Sequence, residues 1–101
     1  MVYTTFGDEA SAATCCEKLL QDRLIACANV FPVQSSYWWG GEIAREGEYV
    51  AILKTASNCL EALELKILEI HPYQVPCIIR MEVQANQAYE EWVKSQIFLP
   101  L

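Results

Sequence analysis

The side chains most able to bind a ligand or take part in a reaction are few in this chain. His71 is the only histidine among the 101 residues, and imidazole is a common metal ligand that also titrates near neutral pH. Cys27 carries a thiol, which suits soft ions such as Cu(I) or Zn. A metal centre needs several converging ligands. We therefore treat His71 and Cys27 as candidate metal ligands and look for the elements that would bring them together.

Each of these two residues also has a structural interpretation. At the end of a helix, His71 could bond to the backbone and interact favourably with the helix dipole when protonated, and Cys27 could be a small buried hydrophobe. A Cys27–His71 catalytic pair would need hydrogen-bond contact, a group that orients the imidazole and an oxyanion site. No glycine-rich nucleophile elbow or phosphate loop accompanies them. We expect that the protein is not an enzyme.

A second set of polar residues points to a different kind of site. Lys54 and Arg80 lie towards the ends of predicted strands, Glu82 follows Arg80, and Tyr73 lies in a proline-braced loop after His71. In an assembly of several copies, these side chains could line a cleft between subunits in which the cations bind a small anion and Glu82 holds them in place. The alternative is an ion-pair network that only fixes the register of an interface.

Other acidic residues do not suggest acid–base chemistry. Glu42, Glu46 and Glu48 are spread along a predicted ribbon and indicate a solvated edge.

Composition narrows the classes of function. The net charge of −6 argues against nucleic acid or an anionic membrane as a partner. No apolar run reaches the roughly 18 residues that a membrane span needs, and the first residues lack the basic and apolar regions of a signal peptide. Five cysteines without a C-x-x-C spacing favour reduced thiols. We expect a single domain over residues 1–101, located in the cytoplasm.

The hydrophobic patterns predict the order β-α-β-β-α-β followed by an extra helix and a short tail over residues 98–101. Asp8 is expected to cap the first helix and Asn58-x-x-Glu61 to form a capping-box analogue for the second. Asn86 is expected to cap the last helix, with Tyr89, Trp92 and Val93 on its buried side. The predicted elements are a strand over 1–6, a helix to about residue 22, strands over 25–39 and 48–55, a helix over about 58–70, a strand over 77–83 and a last helix from residue 86.

This order predicts an α+β, ferredoxin-like fold: a split β-α-β arrangement whose antiparallel sheet carries helices on one face. In the strand over 77–83, alternation predicts that Cys77, Ile79, Met81 and Val83 point to one side. The opposite, open face of the sheet is then expected to carry a mixture of apolar and charged residues, namely Ile52, Lys54, Ile78, Arg80 and Glu82.

The run from residue 25 to residue 39 is too long for a compact domain. Fully extended it spans about 50 Å, whereas a domain of this length is about 35 Å across. Pro32 marks a bulge or an edge position, and Gly40-Gly41 predicts the hairpin turn, with Glu46-Gly47 as a rival. The long hairpin must bend or project, and its tip carries Tyr37, Trp38 and Trp39. We expect another copy of the chain to cover these aromatics.

Several motifs together resemble one protein family. The stretch IACANVFPVQSSYWWGGEI, the following VAILKT, HPYQVP with CIIRMEV, and Ala88-Tyr89-x-x-Trp92 are similar to the CutA family of divalent-cation tolerance proteins. The resemblance covers nearly the whole chain. It implies a PII-like homotrimer in which long hairpins wrap onto neighbouring subunits and open sheet faces meet around the axis.

The resemblance also implies a function. It implies a role in tolerance of copper and other divalent cations, with copper or another divalent ion as the only implied cofactor. The family's assigned copper ligands fall on Thr4, Ile70 and His71, so one of three positions keeps a ligand, and Gln74 replaces a family glutamate. The alternative is a PII-like signalling or scaffold trimer that binds a small anion in clefts between subunits.

Overall fold

The computed structural model describes residues 1–98, and residues 99–101, which end the predicted tail and the predicted domain, lie outside the described part. The predicted order of elements is confirmed. The elements are β1 (Val2–Phe6), α1 (Glu9–Gln21), β2 (Cys27–Trp39), β3 (Glu42–Lys54), a 3₁₀ turn (Ser57–Cys59), α2 (Leu60–Ile70), β4 (Ile78–Arg80) and α3 (Gln87–Gln96).

The four strands form one antiparallel sheet in the order β2-β3-β1-β4. This is the ferredoxin-like arrangement that the sequence predicts. α1 and α2 cover one face of the sheet, and their apolar stripes meet the inward-facing strand residues in a single core. Its largest fully buried apolar members include Val2, Phe6, Leu19, Leu53, Leu63 and Ile67.

The helix ends differ in how well the sequence predicts them. Asp8 caps α1 as expected, because its carboxylate accepts the Ser11 N–H at 2.7 Å. The predicted capping box at Asn58 is wrong: α2 begins at Leu60, after the 3₁₀ turn, and no side chain caps it. The turn instead buries Cys59 in the core, and this burial sets the entry into the helix.

The last helix also departs in part from its prediction. Asn86 precedes α3 but makes no capping bond; the Glu90 carboxylate instead accepts the Ala85 N–H at 2.9 Å. Val93 is buried as expected, whereas Trp92 is 44% exposed within the single chain. The prediction that Trp92 lies on the buried side is therefore wrong for one subunit.

The long hairpin forms around the predicted turn, but its second strand begins at Glu42 rather than at the predicted residue 48, because the ladder continues up to the turn. β2 and β3 each have 13 residues and pair without interruption from Cys27–Lys54 to Trp39–Glu42. Gly40 and Gly41 both adopt positive φ, which a two-residue hairpin turn requires of glycine. The rival turn is wrong, because Gly47 pairs with Gln34 inside the ladder.

Pro32 lies within the continuous ladder of β2, opposite Tyr49. β2 is the outer strand of the sheet, where a residue without an N–H is tolerated. The edge interpretation of Pro32 is therefore confirmed and the bulge is wrong.

β4 is shorter than predicted and its faces are reversed. Only residues 78–80 form the strand. Ile78 pairs with Thr4 and packs on the core, whereas Ile79 pairs with Tyr3 and is 48% exposed. Because residues directly opposite in a sheet share a face, the inward direction of Thr4 turns Ile78 inward. The open face carries Ile52 and Lys54 as expected, but not Ile78 or Arg80.

The outer part of the hairpin projects from the domain. β3 pairs with β1 only from Tyr49 onwards, so residues 33–48 form a two-stranded ribbon, and the molecule measures 44 × 27 × 22 Å. Trp38 and Trp39 at the tip are 72% and 65% exposed. The expectation that one subunit leaves these indoles uncovered is confirmed, and their covering by another copy remains a prediction.

Among residues 1–98, no helix has both the length and the apolar character that crossing a bilayer requires.

Candidate functional site

The only histidine anchors the loop that follows α2. His71 is 8% exposed, its Nε2 lies 2.7 Å from the Thr5 carbonyl oxygen, and its Nδ1 accepts the Tyr73 N–H at 3.0 Å. Because a backbone N–H can only donate, Nδ1 must be the unprotonated nitrogen, and Nε2–H donates to Thr5. The hydrogen bonds therefore define one neutral tautomer of the imidazole.

The surroundings of the ring favour this neutral form. The imidazole stacks on Phe6, with ring centroids 4.4 Å apart and planes inclined by 14°. Burial lowers the pKa of His71, while the Thr5 carbonyl and the Glu48 carboxylate act in the opposite direction. His71 therefore matches the structural interpretation, in which a histidine at the end of a helix bonds to backbone atoms. It differs from that interpretation in one respect, because its ring is neutral rather than protonated.

The structure does not bring the two candidate metal ligands together. Cys27 lies opposite Lys54 in the β2–β3 ladder, and His71 contacts Thr5, whose partner in β3 is Val50. The four-residue step from Lys54 to Val50 is about 13 Å along a strand. Within one chain, Cys27 and His71 therefore form neither a catalytic pair nor a shared metal site.

Other potential ligands do not complete a metal centre either. Within residues 1–98, no three or more His, Cys, Asp or Glu side chains lie close enough to hold an ion. Thr4 is fully buried and Ile70 packs on the core, so neither replaces a missing ligand. Burial raises the pKa of the Cys15 thiol to about 11 and also raises the pKa values of Cys16, Cys59 and Cys77.

A second anchor of the same loop links it to the base of the projecting ribbon. The Tyr73 hydroxyl donates to Glu48 Oε2 at 2.8 Å, and Glu48 is only 9% exposed. Burial and the bond to Glu48 raise the pKa of Tyr73, so the phenol stays protonated. Gly7 leaves room for this contact, because a Cβ there would lie 3.2 Å from the Tyr73 oxygen and would crowd it.

Sequence reasoning missed Glu48 and Gly7 as partners of Tyr73. Glu48 was expected on a solvated edge, but it is buried where the ribbon leaves the sheet. The two bonded residues are 25 positions apart, and no local spacing signals such a contact.

The predicted anion cleft is not formed as one unit within the chain. Lys54 and Glu82 line a common groove of about 970 Å³. Arg80 points to the helix side, where its Nε donates to Glu64 at 3.0 Å, because β4 pairs Arg80 with inward-facing Val2. Tyr73 lies at the other end of the sheet beside Glu48. One subunit therefore does not bring these residues together, and a cleft that they line between subunits remains a prediction.

These features define an α+β, ferredoxin-like subunit with a projecting ribbon and a doubly anchored loop after its second helix. The sequence profile described as CutA1 divalent ion tolerance protein matches residues 1–96. The chain therefore belongs to the CutA1 family.

Individual relatives agree with this assignment. The divalent-cation tolerance protein CutA of Pyrococcus horikoshii is 47% identical over 94 residues, which cover 92% of each chain. Its crystal structure superposes with a TM-score of 0.94 at 43% identity, covering 97% of each chain.

Two more distant structures share the fold. The PII-like protein CutA of Nostoc sp. PCC 7120 has a TM-score of 0.92 at 28% identity, covering 98% of this chain and 97% of its own. The periplasmic divalent cation tolerance protein CutA of Archaeoglobus fulgidus has a TM-score of 0.91 at 28% identity, covering 94% of each chain. The PII-like fold implied by the sequence is thus confirmed.

Proposed function

We propose that this protein acts in divalent-ion tolerance as a non-enzymatic homotrimer in the cytoplasm. The observation that carries the proposal is the match of residues 1–96 to a family described by divalent ion tolerance. The five cysteines are all free, which suits a reducing compartment. Because the Archaeoglobus relative is named as periplasmic, fractionation of cells is the direct test of location, and recovery in the periplasm would contradict it.

The test of the tolerance role is genetic. Cells lacking the protein are expected to lose growth in elevated copper or zinc, and the wild-type chain is expected to restore it. Equal growth of deleted and complemented cells across copper, zinc, cobalt and cadmium would overturn the proposal.

The trimer is supported by the exposed end of the ribbon. Tyr37, Trp38 and Trp39 are the proposed interface residues, and Trp38 and Trp39 are more than half exposed in one chain. Adjacent large apolar side chains that are exposed in this way are typical of an interface. Light scattering coupled to gel filtration is expected to give three times the chain mass, and a monomer at micromolar concentration would contradict the assembly.

Any copper or other divalent cation is proposed to bind weakly, with Cys27 and His71 as candidate ligands in separate places. Coordination by His71 must displace one of its two backbone hydrogen bonds, each of which contributes about 1 kcal/mol. Cys27 pairs with Lys54 across the β2–β3 ladder, and a positive charge on the neighbouring residue disfavours a cation at Cys27.

Calorimetric titration with copper tests each ligand. Cys27→Ser and His71→Ala are compared with Cys77→Ser, a matched change at another half-buried thiol. Equal heats for His71→Ala and wild type would exclude His71 as a ligand, and equal heats for Cys27→Ser would exclude Cys27.

A second candidate function is a PII-like trimer that binds a small anion in clefts between subunits. The observation that favours it is Lys54, whose ammonium makes no ion pair within residues 1–98 although it lines a large groove. Thermal-shift measurements across nucleotides and organic anions test this function. Lys54→Met is expected to abolish a shift, whereas Arg80→Ala serves as the control because Arg80 already pairs with Glu64.

A further inference from the structure

The helix side of the sheet carries an apolar stripe that no other part of residues 1–98 covers. α2 buries Leu63 and Ile67 towards the sheet, and residues three or four positions apart share one face of a helix. Leu65 and Leu68 lie on the opposite face, where they are 61% and 51% exposed. Exposed glutamates accompany them at both ends of this face, which we call the α2 stripe: Glu61, Leu65, Leu68 and Glu69.

The α2 stripe lies away from the surfaces that the proposed trimer uses. The trimer is supported by the exposed aromatics of the ribbon, and the open face of the sheet lies opposite the face that α1 and α2 cover. Assembly through the ribbon and the open face therefore leaves Leu65 and Leu68 exposed. Large apolar side chains one turn apart and rimmed by charge are typical of a surface that binds another helix.

The two ends of the stripe are negatively charged. Glu61 makes no ion pair within residues 1–98. The Lys66 ammonium lies 3.5 Å from Glu69 and 3.7 Å from Asp22, so two carboxylates share one cation. The Glu69 side chain remains largely exposed, whereas that of Lys66 is mostly covered. A partner that covers the two leucines therefore meets a carboxylate at each end.

The other cations near α2 do not change the charge of the stripe. On the β4 side, the Arg80 Nε lies 3.0 Å from a Glu64 carboxylate oxygen, so this cation is already paired. Lys18 belongs to α1 and lines a small depression with Ile70 and Pro72, past the end of the stripe. The stripe itself thus offers two leucines and two carboxylates and no cation.

A second copy of the chain does not suit this surface. In a two-fold contact between α2 helices, an antiparallel arrangement sets Glu61 against Glu69, and a parallel arrangement sets each glutamate against its own equivalent. Both arrangements bring like charges together, which disfavours the contact. The occupant that fits is a different helix, with basic side chains where α2 carries glutamates.

We propose that the α2 stripe docks a basic amphipathic helix of another protein. The apolar side chains of this helix cover Leu65 and Leu68, and its arginine or lysine side chains pair with Glu61 and Glu69. The inference goes beyond ion tolerance and rests on neither proposed function, because it uses only the outer face of α2.

The test uses the full chain and three alanine-based helical peptides of about 20 residues, a length at which an isolated helix can form in water. The first peptide repeats the spacing of the stripe, with two leucines and with arginine in place of both glutamates. The second keeps the glutamates, and the third has arginines but serine in place of both leucines. The first is expected to bind and to shift amide signals of residues 60–70 in ¹⁵N–¹H correlation spectra. The second and third are each expected to bind at least about tenfold more weakly, since each loses either the charge pairing or the apolar contact.

Variants of the chain locate the contact. Leu65→Ser with Leu68→Ser is expected to weaken binding of the first peptide at least about tenfold. Glu61→Gln with Glu69→Gln is expected to weaken it several-fold and to reduce its dependence on salt. Leu20→Ser, at an exposed leucine of α1, is the matched control and is expected to leave binding unchanged.

Several results would overturn the inference. They are no binding of the first peptide, equal binding of the first and second peptides, and equal binding by wild type and the Leu65→Ser, Leu68→Ser variant. Light scattering is expected to give a mass that does not depend on concentration. Growth of the mass beyond a trimer that the same leucine variant abolishes would place a second copy on the stripe and would also overturn the inference. Failure of the copper growth test would leave these outcomes unchanged.

Discussion

The two halves of the β2–β3 hairpin belong to the same pair of strands but are stabilised differently. In the half nearest the core, β3 has neighbours on both sides and Val50, Ala51 and Leu53 are fully buried. In the outer half, residues 33–48, each strand has a single neighbour, and Trp38, Trp39 and Ile43 are at least half exposed. The inner half is therefore stabilised by side chains buried within the subunit, whereas the outer half has its backbone ladder but leaves its large apolar side chains exposed.

The boundary between the halves is marked by specific contacts. Glu48, the last residue of the outer half, accepts the Tyr73 hydroxyl, and Tyr73 in turn is tied to His71. The loop after α2 therefore fixes the point at which the ribbon leaves the sheet.

Replacing both tryptophans at the tip is expected to cause the largest change, a loss of free energy of assembly. Trp38→Ser with Trp39→Ser is expected to weaken assembly by at least about 2 kcal/mol, the loss typical of truncating a tryptophan at the centre of an interface. Sedimentation velocity measures the mass, and far-UV circular dichroism is expected to remain unchanged. A variant that still assembles at micromolar concentration would show that the tip is not the interface.

Shortening a buried side chain in the half nearest the core tests the other half of the hairpin. Leu53→Ala is expected to lower the free energy of unfolding by about 2–5 kcal/mol, because Leu53 is fully buried and leaves a cavity. Chemical denaturation measures the loss. The matched change Ile43→Ala, on the half-exposed outer part, is expected to cost much less, and equal losses would show that both halves are equally buried in solution.

The bond at the boundary can be removed without changing the shape of the ring. Tyr73→Phe is expected to lower the free energy of unfolding by about 1–3 kcal/mol, because the buried Glu48 carboxylate loses its donor. Tyr3→Phe is the control, since its hydroxyl makes no hydrogen bond within residues 1–98. If both variants lose the same stability, the Tyr73–Glu48 bond contributes nothing of its own.

The lowered pKa of His71 predicts that the free energy of unfolding depends on pH. Because the folded pKa of His71 is lowered below its ordinary value of 6.5, the unfolded chain takes up the proton first. The stability from this group is therefore fully present above pH 6.5 and decreases as the pH falls below it, by at most about 1.4 kcal/mol per pH unit. Denaturation at several pH values, compared between wild type and His71→Gln, measures the difference, and parallel curves would contradict the prediction.

A buried hydroxyl in the core half gives the smallest expected effect. Thr4 Oγ1 is buried and has no hydrogen-bond partner among residues 1–98. Thr4→Val keeps the shape and removes the unpaired group, so it is expected to raise the free energy of unfolding by about 1 kcal/mol. Thermal and chemical denaturation measure the gain. A loss of stability would indicate that the hydroxyl is paired in solution.

Local patterns in the sequence were sufficient for the elements and for the hairpin. Gly40-Gly41 marks the turn because both residues need positive φ, and the apolar spacing identifies the buried faces of α1 and α2. The orientation of β4 was not predictable from alternation alone. A strand of three residues takes its register from β1, and that register turned Arg80 to the helix side.

The candidate site was harder to predict, because its contacts join residues that are distant in the sequence. His71 and Thr5 are 66 positions apart, and Tyr73 and Glu48 are 25 apart. The types of residue were informative, since histidine, tyrosine and lysine were singled out, but which of them meet depends on strand order and on the space left by Gly7.

Pro32 has a consequence for how the outermost strand meets other chains. Because its ring nitrogen has no hydrogen, the row of donors along that strand is interrupted. A strand from another chain that pairs along the whole edge, as in the growth of a fibril, would lack one backbone hydrogen bond at this position. The interruption therefore disfavours continuous strand addition along this edge.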